Sequence, residues 1–198
     1  MRTETIEIFN FHELDKNVQE KVIEKNRDIN VDDSYWHECV IEDFEQILGF
    51  IGYYDIESSF IGFWSQGDGA SFTAKYSYEK GALKKVMDYY PSDKELHKIV
   101  SNLQDLQKKN FYSLNGKIGK SGSNYCHSYT MVCDYLERAD GKEPTDEAEL
   151  EFRTQSRYLA EWLYEALEAD YNSLTSDEAV IESLQGFREF RADGDMLC

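Results

Sequence analysis

The sequence predicts an α+β fold, an antiparallel sheet of two hairpins plus edge strands with amphipathic helices packed on it. Three observations carry this expectation. Two β-branched and aromatic stretches, residues 53–64 and 71–78, flank the short loop in FWSQGDGASF, and the second alternates Phe72, Ala74, Tyr76 and Tyr78 with Thr73, Lys75 and Ser77. Apolar residues recur at three- and four-residue spacing in the segments around them. At 198 residues, 41% hydrophobic and 14% aromatic, the chain has enough apolar surface to form one core.

Taken in order, residues 3–9 read as a short strand. HELDKNVQEKVIEKNR then carries one narrow stripe, Leu14, Val18, Val22 and Ile23, on an otherwise charged helix. Asp32 or Asp33 is placed to cap a second helix with a stronger stripe, Trp36, Val40, Phe44, Ile47 and Leu48. The hairpin follows, its turn built on Asp68-Gly69 because glycine takes positive φ without steric cost. Two helical stripes come next, Leu83 to Tyr90 and Leu96 to Leu106, separated by Pro91, with Ser92-x-x-Glu95 as a capping box for the second.

A second hairpin is expected from residues 111–118, a GKSGS turn, and residues 127–136. In its last strand His127, Tyr129, Met131, Cys133 and Tyr135 share the face assigned to the core. The final third reads as a long helix with Phe152, Leu159, Trp162, Leu163, Ala166 and Leu167 inward. A further helix at LTSDEAVIESL has a Thr175-x-x-Glu178 capping box and Leu174 as a hydrophobic staple, and FREFRADGD forms a short edge strand closed by a turn. No repeat, low-complexity tract or proline-rich linker interrupts the chain, so residues 1–198 are expected to form a single domain. Residues 1–136 supply its sheet-and-helix core and 137–198 an acidic, mostly helical part.

Charge limits the partners. With 39 acidic and 21 basic residues the net charge is -18, and residues 137–198 hold 17 acids against 6 bases. Direct nucleic-acid binding, which rests on Lys and Arg neutralising phosphates, is excluded on this reading, and an anionic membrane is repelled. No apolar run reaches the roughly 20 residues of a membrane span, and the first residues lack the pattern of a signal peptide, which together give a cytoplasmic expectation. Cys39, Cys126, Cys133 and Cys198 are widely spaced and read as reduced, mostly buried thiols.

Candidate chemistry concentrates in two loops. Ser65, Gln66 and Asp68 bring a hydroxyl, an amide and a carboxylate beside Trp64, a set suited to a polar ligand or a partner's loop. The same residues also suit a plain turn, with the glycines serving geometry and Ser65 and Asp68 bonding the local backbone. Tyr125 and His127 mark the second loop. Neighbours on a strand face opposite ways, so His127 is not placed to activate Cys126, but His127 with Asp68 would form an acid/base pair if the hairpins bring them together. No phosphate loop is present. His37-x-Cys39 lacks zinc-ligand spacing, and Asp32-Asp33 and Asp193-Gly-Asp195 lack a calcium-loop pattern, so neither a metal nor a cofactor is expected. The carboxylate excess itself suits mimicry of a phosphate backbone in the basic groove of another protein.

GFWSQGDGASF at residues 62–72, GKIGKSGSNYCHSYTM at 116–131, and LTSDEAVIESL followed by FREFRADGD at 174–195 resemble, in that order, a family of small bacteriophage and prophage proteins. Members are often labelled "antitoxin of toxin–antitoxin stability system". The second motif departs from the family at Asn124-Tyr125-Cys126-His127. The resemblance implies a phage-encoded accessory protein acting in the cytoplasm of the infected bacterium. Its expected role is inhibition of a host factor with a basic surface, as an anti-defence protein of anti-CRISPR or anti-restriction type. The alternatives are neutralisation of a toxin, and an enzyme acting on a small polar substrate through Asp68 and His127. The binding residues expected are Trp64, Ser65, Gln66, Asp68, Tyr125 and His127.

Overall fold

A computed structural model describes residues 7–33, 35–122, 125–185 and 188–197. In chain order the elements are β1 (Phe9–Asn10), α1 (Lys16–Lys25), α2 (Glu38–Ile51), β2 (Tyr53–Ile61), β3 (Gly69–Ser77), α3 (Ala82–Tyr89) and α4 (Lys94–Lys109). There follow β4 (Leu114–Lys120), β5 (Met131–Arg138), α5 (Asp146–Leu174), α6 (Asp177–Gln185), β6 (Glu189–Phe190) and β7 (Met196–Leu197). The fold is α+β, with two antiparallel sheets. Its contacts divide the chain into two compact units, one of Met1–Glu38 with Ala169–Cys198 and one of Cys39–Glu168. The compositional step at 136/137 falls inside β5.

In the larger unit the two expected hairpins lie side by side, giving strand order β2-β3-β4-β5. Phe72, Ala74 and Tyr76 of β3 are buried, as their alternation requires, as are Phe44, Ile47, Leu48 and Ile51 of α2, and the Phe72 ring meets that of Phe44 at 5.6 Å. Gly116 in β4 is a close-approach position: a Cβ there would stand 2.8 Å from the Phe152 ring of α5. Tyr53 bonds Ser156 at 2.8 Å, and because Ser156 already donates to the Phe152 carbonyl, the Tyr53 hydroxyl is the donor. Burial raises Tyr53 well above the usual phenol value, and burial likewise pushes Tyr76 up to about 12.

Several expectations shift by a residue or a face. Asp93, not Ser92, caps α4, accepting from Leu96 N–H at 2.8 Å; after Pro91 the chain needs one more turn residue before Lys94 becomes helical. Asp93 also accepts from Trp162 Nε1 at 2.6 Å, tying the start of α4 to α5. Ser176, not Thr175, accepts from Ala179 N–H at the start of α6, because Thr175 still belongs to the preceding turn and donates to the Tyr171 carbonyl. Asp33 bonds Tyr35 N–H in a turn, and α2 begins only at Glu38, beyond its reach.

The last strand departs most. It begins at Met131, after a 3₁₀ turn over Ser128–Thr130, and its register slips between Ile118↔Cys133 and Lys117↔Tyr135, leaving Asp134 as a bulge. An inserted residue turns the following side chains over, so Met131 is buried whereas Tyr135 is exposed. Of the expected odd-numbered core face only Met131 is buried: His127 and Cys133 are half-buried, and Tyr129, in the 3₁₀ turn before the strand, is 74% exposed.

In the smaller unit β1, β6 and β7 make their own three-stranded sheet, with β6 at the centre rather than at an edge. Phe190 of β6 is buried against Phe11, Val22, Val180 and Leu184. Arg27 pairs with Glu24 and Asp177, and Lys25 with Asp195, all at or near the surface. The strand expected from residue 3 begins in the described residues only at Phe9; residues 1–6 lie outside them. No described helix is long and apolar enough to cross a membrane. Cys39 is exposed and Cys133 half-buried, with only Cys126 of the described thiols buried; all three are free, and Cys198 lies outside the described residues.

Candidate functional site

The turn between β2 and β3 is built from its own residues. Asp68 accepts from Ser65 N–H at 2.7 Å and returns a backbone bond from its N–H to the Ser65 carbonyl at 3.1 Å, closing a four-residue turn. The carboxylate therefore bonds the local backbone, as a turn residue would. Trp64 stands one residue earlier on left-handed backbone, φ 65°, a conformation that costs a residue with a Cβ about 1 kcal/mol. Its ring remains 67% exposed, lies beside Phe63, and donates Nε1–H to Glu168 of α5 at 2.5 Å.

The second loop packs directly on the first. A Cβ on Gly67 would lie 2.5 Å from the Tyr125 ring, and one on Gly69 would lie 2.4 Å from His127 Cβ. Gly67, at φ 94°, also needs the freedom that only glycine has there. The two glycines are thus contact points between the loops. His127 Nδ1 accepts from Tyr129 N–H at 3.1 Å and caps the 3₁₀ turn; with Nδ1 as acceptor the proton of the neutral ring sits on Nε2. His127 lies between the Tyr125 and Tyr129 rings, at 6.4 and 6.0 Å. Cys126 instead meets Lys120, whose Nζ donates to its sulfur at 2.8 Å.

A helix supplies the third wall. Ala160, Glu161, Tyr164, Glu165 and Glu168 fall at one- and three- to four-residue spacings, on one face of α5. Glu161 accepts from the buried Ser128 hydroxyl at 2.9 Å, and Tyr164 meets Phe63 at 5.5 Å. Arg157, one turn back, donates to the carbonyls of Tyr129 and Met131 and lies over the Tyr129 ring at 5.6 Å. Burial lowers the Arg157 guanidinium below its ordinary value, and the neighbouring Arg153 adds to that.

Between these walls lies a cleft of about 380 Å³, lined by Gly67, Asp68, Gly69, His127, Ser128, Tyr129, Glu161, Tyr164 and Glu165 among others. It brings together Asp68 and His127 from the sequence expectation, with Tyr125 packed on Gly67 and Trp64 bonded to Glu168 at the far end of the same α5 face. Ser65 and Gln66 are exposed on the turn itself. Sequence reasoning missed Ser128, Tyr129, Glu161, Tyr164 and Glu165. The available signal was the polar and aromatic row running beside the apolar stripe of the long helix.

Chemically the cleft offers carboxylates, an imidazole and aromatic faces, a combination that receives cations and hydrogen-bond donors. No group of three or more His, Cys, Asp or Glu among the described residues is arranged to hold a metal ion. No curated protein and no solved structure matches the chain. The model of DUF8835, a domain of unknown function, matches residues 36–177, more than half of the sequence and the whole of this cleft, and the chain belongs to that family.

Proposed function

We propose that this chain is a binding protein of phage type that captures and inhibits a host protein through a basic surface, as an anti-defence factor in the bacterial cytoplasm. The observation that supports this reading best is the convergence on one cleft of three carboxylates, Asp68, Glu161 and Glu165, with exposed aromatic residues on its rim. Carboxylates beside aromatic rings favour Arg and Lys from a partner, and Trp and Tyr are enriched where binding energy concentrates. A net charge of -18 adds long-range attraction to such a partner. A toxin with a basic surface would be bound by the same logic.

The test is capture from bacterial lysate by tagged protein at low and high salt, followed by mass spectrometry. One stoichiometric partner, weakened by salt and lost with Trp64→Ala, Gln66→Ala and Asp68→Asn combined, is the expected result. Capture unchanged by those substitutions and by charge reversal of the acidic helices would sink the proposal.

A second reading, an enzyme on a small polar substrate, draws on one observation: Asp68 and His127 line the same cleft. His127 held at Nδ1 has Nε2 for proton transfer. Turnover of a polar small molecule that disappears in His127→Gln while partner capture persists would replace the binding proposal with this one.

A further inference from the structure

The cleft beside the Trp64 loop is the first of three that share wall residues. A second, of about 400 Å³, lies between α4 and α5 and shares Glu161 and Glu165 with the first. A third, of about 460 Å³, continues along the same pair of helices and shares Asn102 with the second. All three lie within the larger unit. From Glu147 to Glu165 the track follows five turns of α5, about 27 Å at 1.5 Å per residue. Ile99, Leu106 and Trp162 lie in the walls of the α4–α5 clefts among mostly polar and charged side chains. Its charged residues beyond the first cleft are mostly acidic, Glu95, Asp105, Glu147 and Glu151 against Lys98 and Lys109.

A groove whose walls carry an excess of carboxylates, with a few apolar side chains between them, is complementary to a chain segment that carries Arg or Lys among apolar residues. Such a segment buries its aliphatic stems on the groove while its charges meet the carboxylates. We infer that the α4–α5 groove, which shares Glu161 and Glu165 with the Trp64 cleft, takes a basic amphipathic segment of the partner, about eight residues long if extended at 3.3 Å per residue. This rests on the binding function proposed above and names the part of the partner that is bound. Single-residue recognition at the Trp64 cleft alone would leave the far two thirds of the groove unused.

The test uses the full chain and a fluorescein-labelled ten-residue peptide of alternating Arg and Leu, read by anisotropy, beside partner capture from lysate. Asp105→Lys with Glu151→Lys, distant from the Trp64 loop, is compared with Glu20→Lys with Asp88→Lys, which changes net charge equally on exposed surface elsewhere. Circular dichroism confirms that each variant folds, and Asp105→Asn with Glu151→Gln serves if the reversal does not. The groove predicts at least tenfold weaker peptide and partner binding for the groove pair and less than threefold for the control pair. Equal losses in both pairs would reduce the peptide result to net charge and overturn the inference. Partner capture lost with Trp64→Ala but untouched by the groove pair would also overturn it, while leaving the binding function standing. Capture indifferent to both would overturn the function as well.

Discussion

Among the described residues the backbone enters the left-handed region under an exposed aromatic residue in two places, at Trp64 and at the pair Phe111–Tyr112, and the two are held differently. Phe111 and Tyr112, each at φ 58°, end α4 and turn the chain into β4. They are fixed from beneath: the fully buried Gln107 donates from Nε2 to the Leu114 carbonyl at 2.9 Å and accepts the Leu114 N–H at 3.2 Å, while Tyr112 N–H reaches the Gln107 carbonyl at 2.7 Å. Trp64 is fixed from above by bonds at the surface, to Glu168 and through the Ser65–Asp68 turn. Buried bonds are expensive to lose and exposed ones cheap. The corner at residues 111–112 is therefore a device of the fold, whereas strain at Trp64 is retained by contacts that a partner can rearrange.

The largest effect that tests this contrast is Gln107→Ala. It strands two backbone groups of Leu114 in the core and is expected to cost roughly 2–5 kcal/mol, read as a lower urea midpoint at unchanged m. A cost under about 1 kcal/mol would show that the corner is held some other way.

Alkaline pH comes next. The Tyr53 and Tyr76 phenols are raised in the folded state by burial, so the unfolded chain deprotonates first. Stability is full below pH 10 and falls as pH rises from there through about 12, a loss that Tyr76→Phe should reduce. Stability unchanged across that window would mean that these rings are hydrated. The corresponding loss at the surface turn should be absent, since nothing there depends on a buried phenol.

Gly69→Ala places a Cβ against His127 backbone and side chain, and pushing the two loops apart is expected to cost about 1–3 kcal/mol together with most of the partner capture. Wild-type behaviour in both would separate the loops as functional parts. The smallest stability effects belong to Trp64→Gly and Phe111→Gly, which both relieve left-handed strain and should leave stability within about 1 kcal/mol of the parent. Only Trp64→Gly should reduce partner capture, by tenfold or more. If Phe111→Gly reduces it as much, the two corners are one surface and the contrast fails.

What the sequence made legible follows the range over which each signal acts. The alternation of Phe72, Ala74 and Tyr76 in β3, the stripe of α4 and the break at Pro91 are local patterns, and each appears where the spacing put it; the stripe of α3 does not, since Met87 and Tyr90 are exposed and Ala82 is buried instead, and Trp36 precedes α2. The caps at Asp93 and Ser176 lay one residue beyond the expected Ser92 and Thr175, because the cap is chosen by where the preceding turn ends and the motif spacing alone does not report that. The flip of β5 at Asp134 depends on pairing with β4, which no single-strand pattern encodes. At the site, Trp64, Asp68 and His127 were visible as unusual residues in short loops. Glu161 and Glu168 were not, since their partners Ser128 and Trp64 stand 33 and 104 residues away, and Glu165, like them, is a carboxylate on a long acidic helix that gives no local signal.

The order β2-β3-β4-β5 repeats the order of the strands along the chain. Gln107 joins α4 to β4 across only seven residues. The outer hairpins β2–β3 and β4–β5 close over short loops and lose little loop entropy on forming, whereas β3 meets β4 across 38 or more residues, with Ser77 opposite Asn115. The Trp64 turn lies on the first hairpin and the His127 loop on the second, so each can form locally while their contact at Gly67 and Gly69 waits on the β3–β4 pairing. The α5 wall in turn needs Glu161 at Ser128 and Glu168 at Trp64, 33 and 104 residues apart. A chain still emerging from synthesis, with α5 incomplete, holds the loops but no cleft.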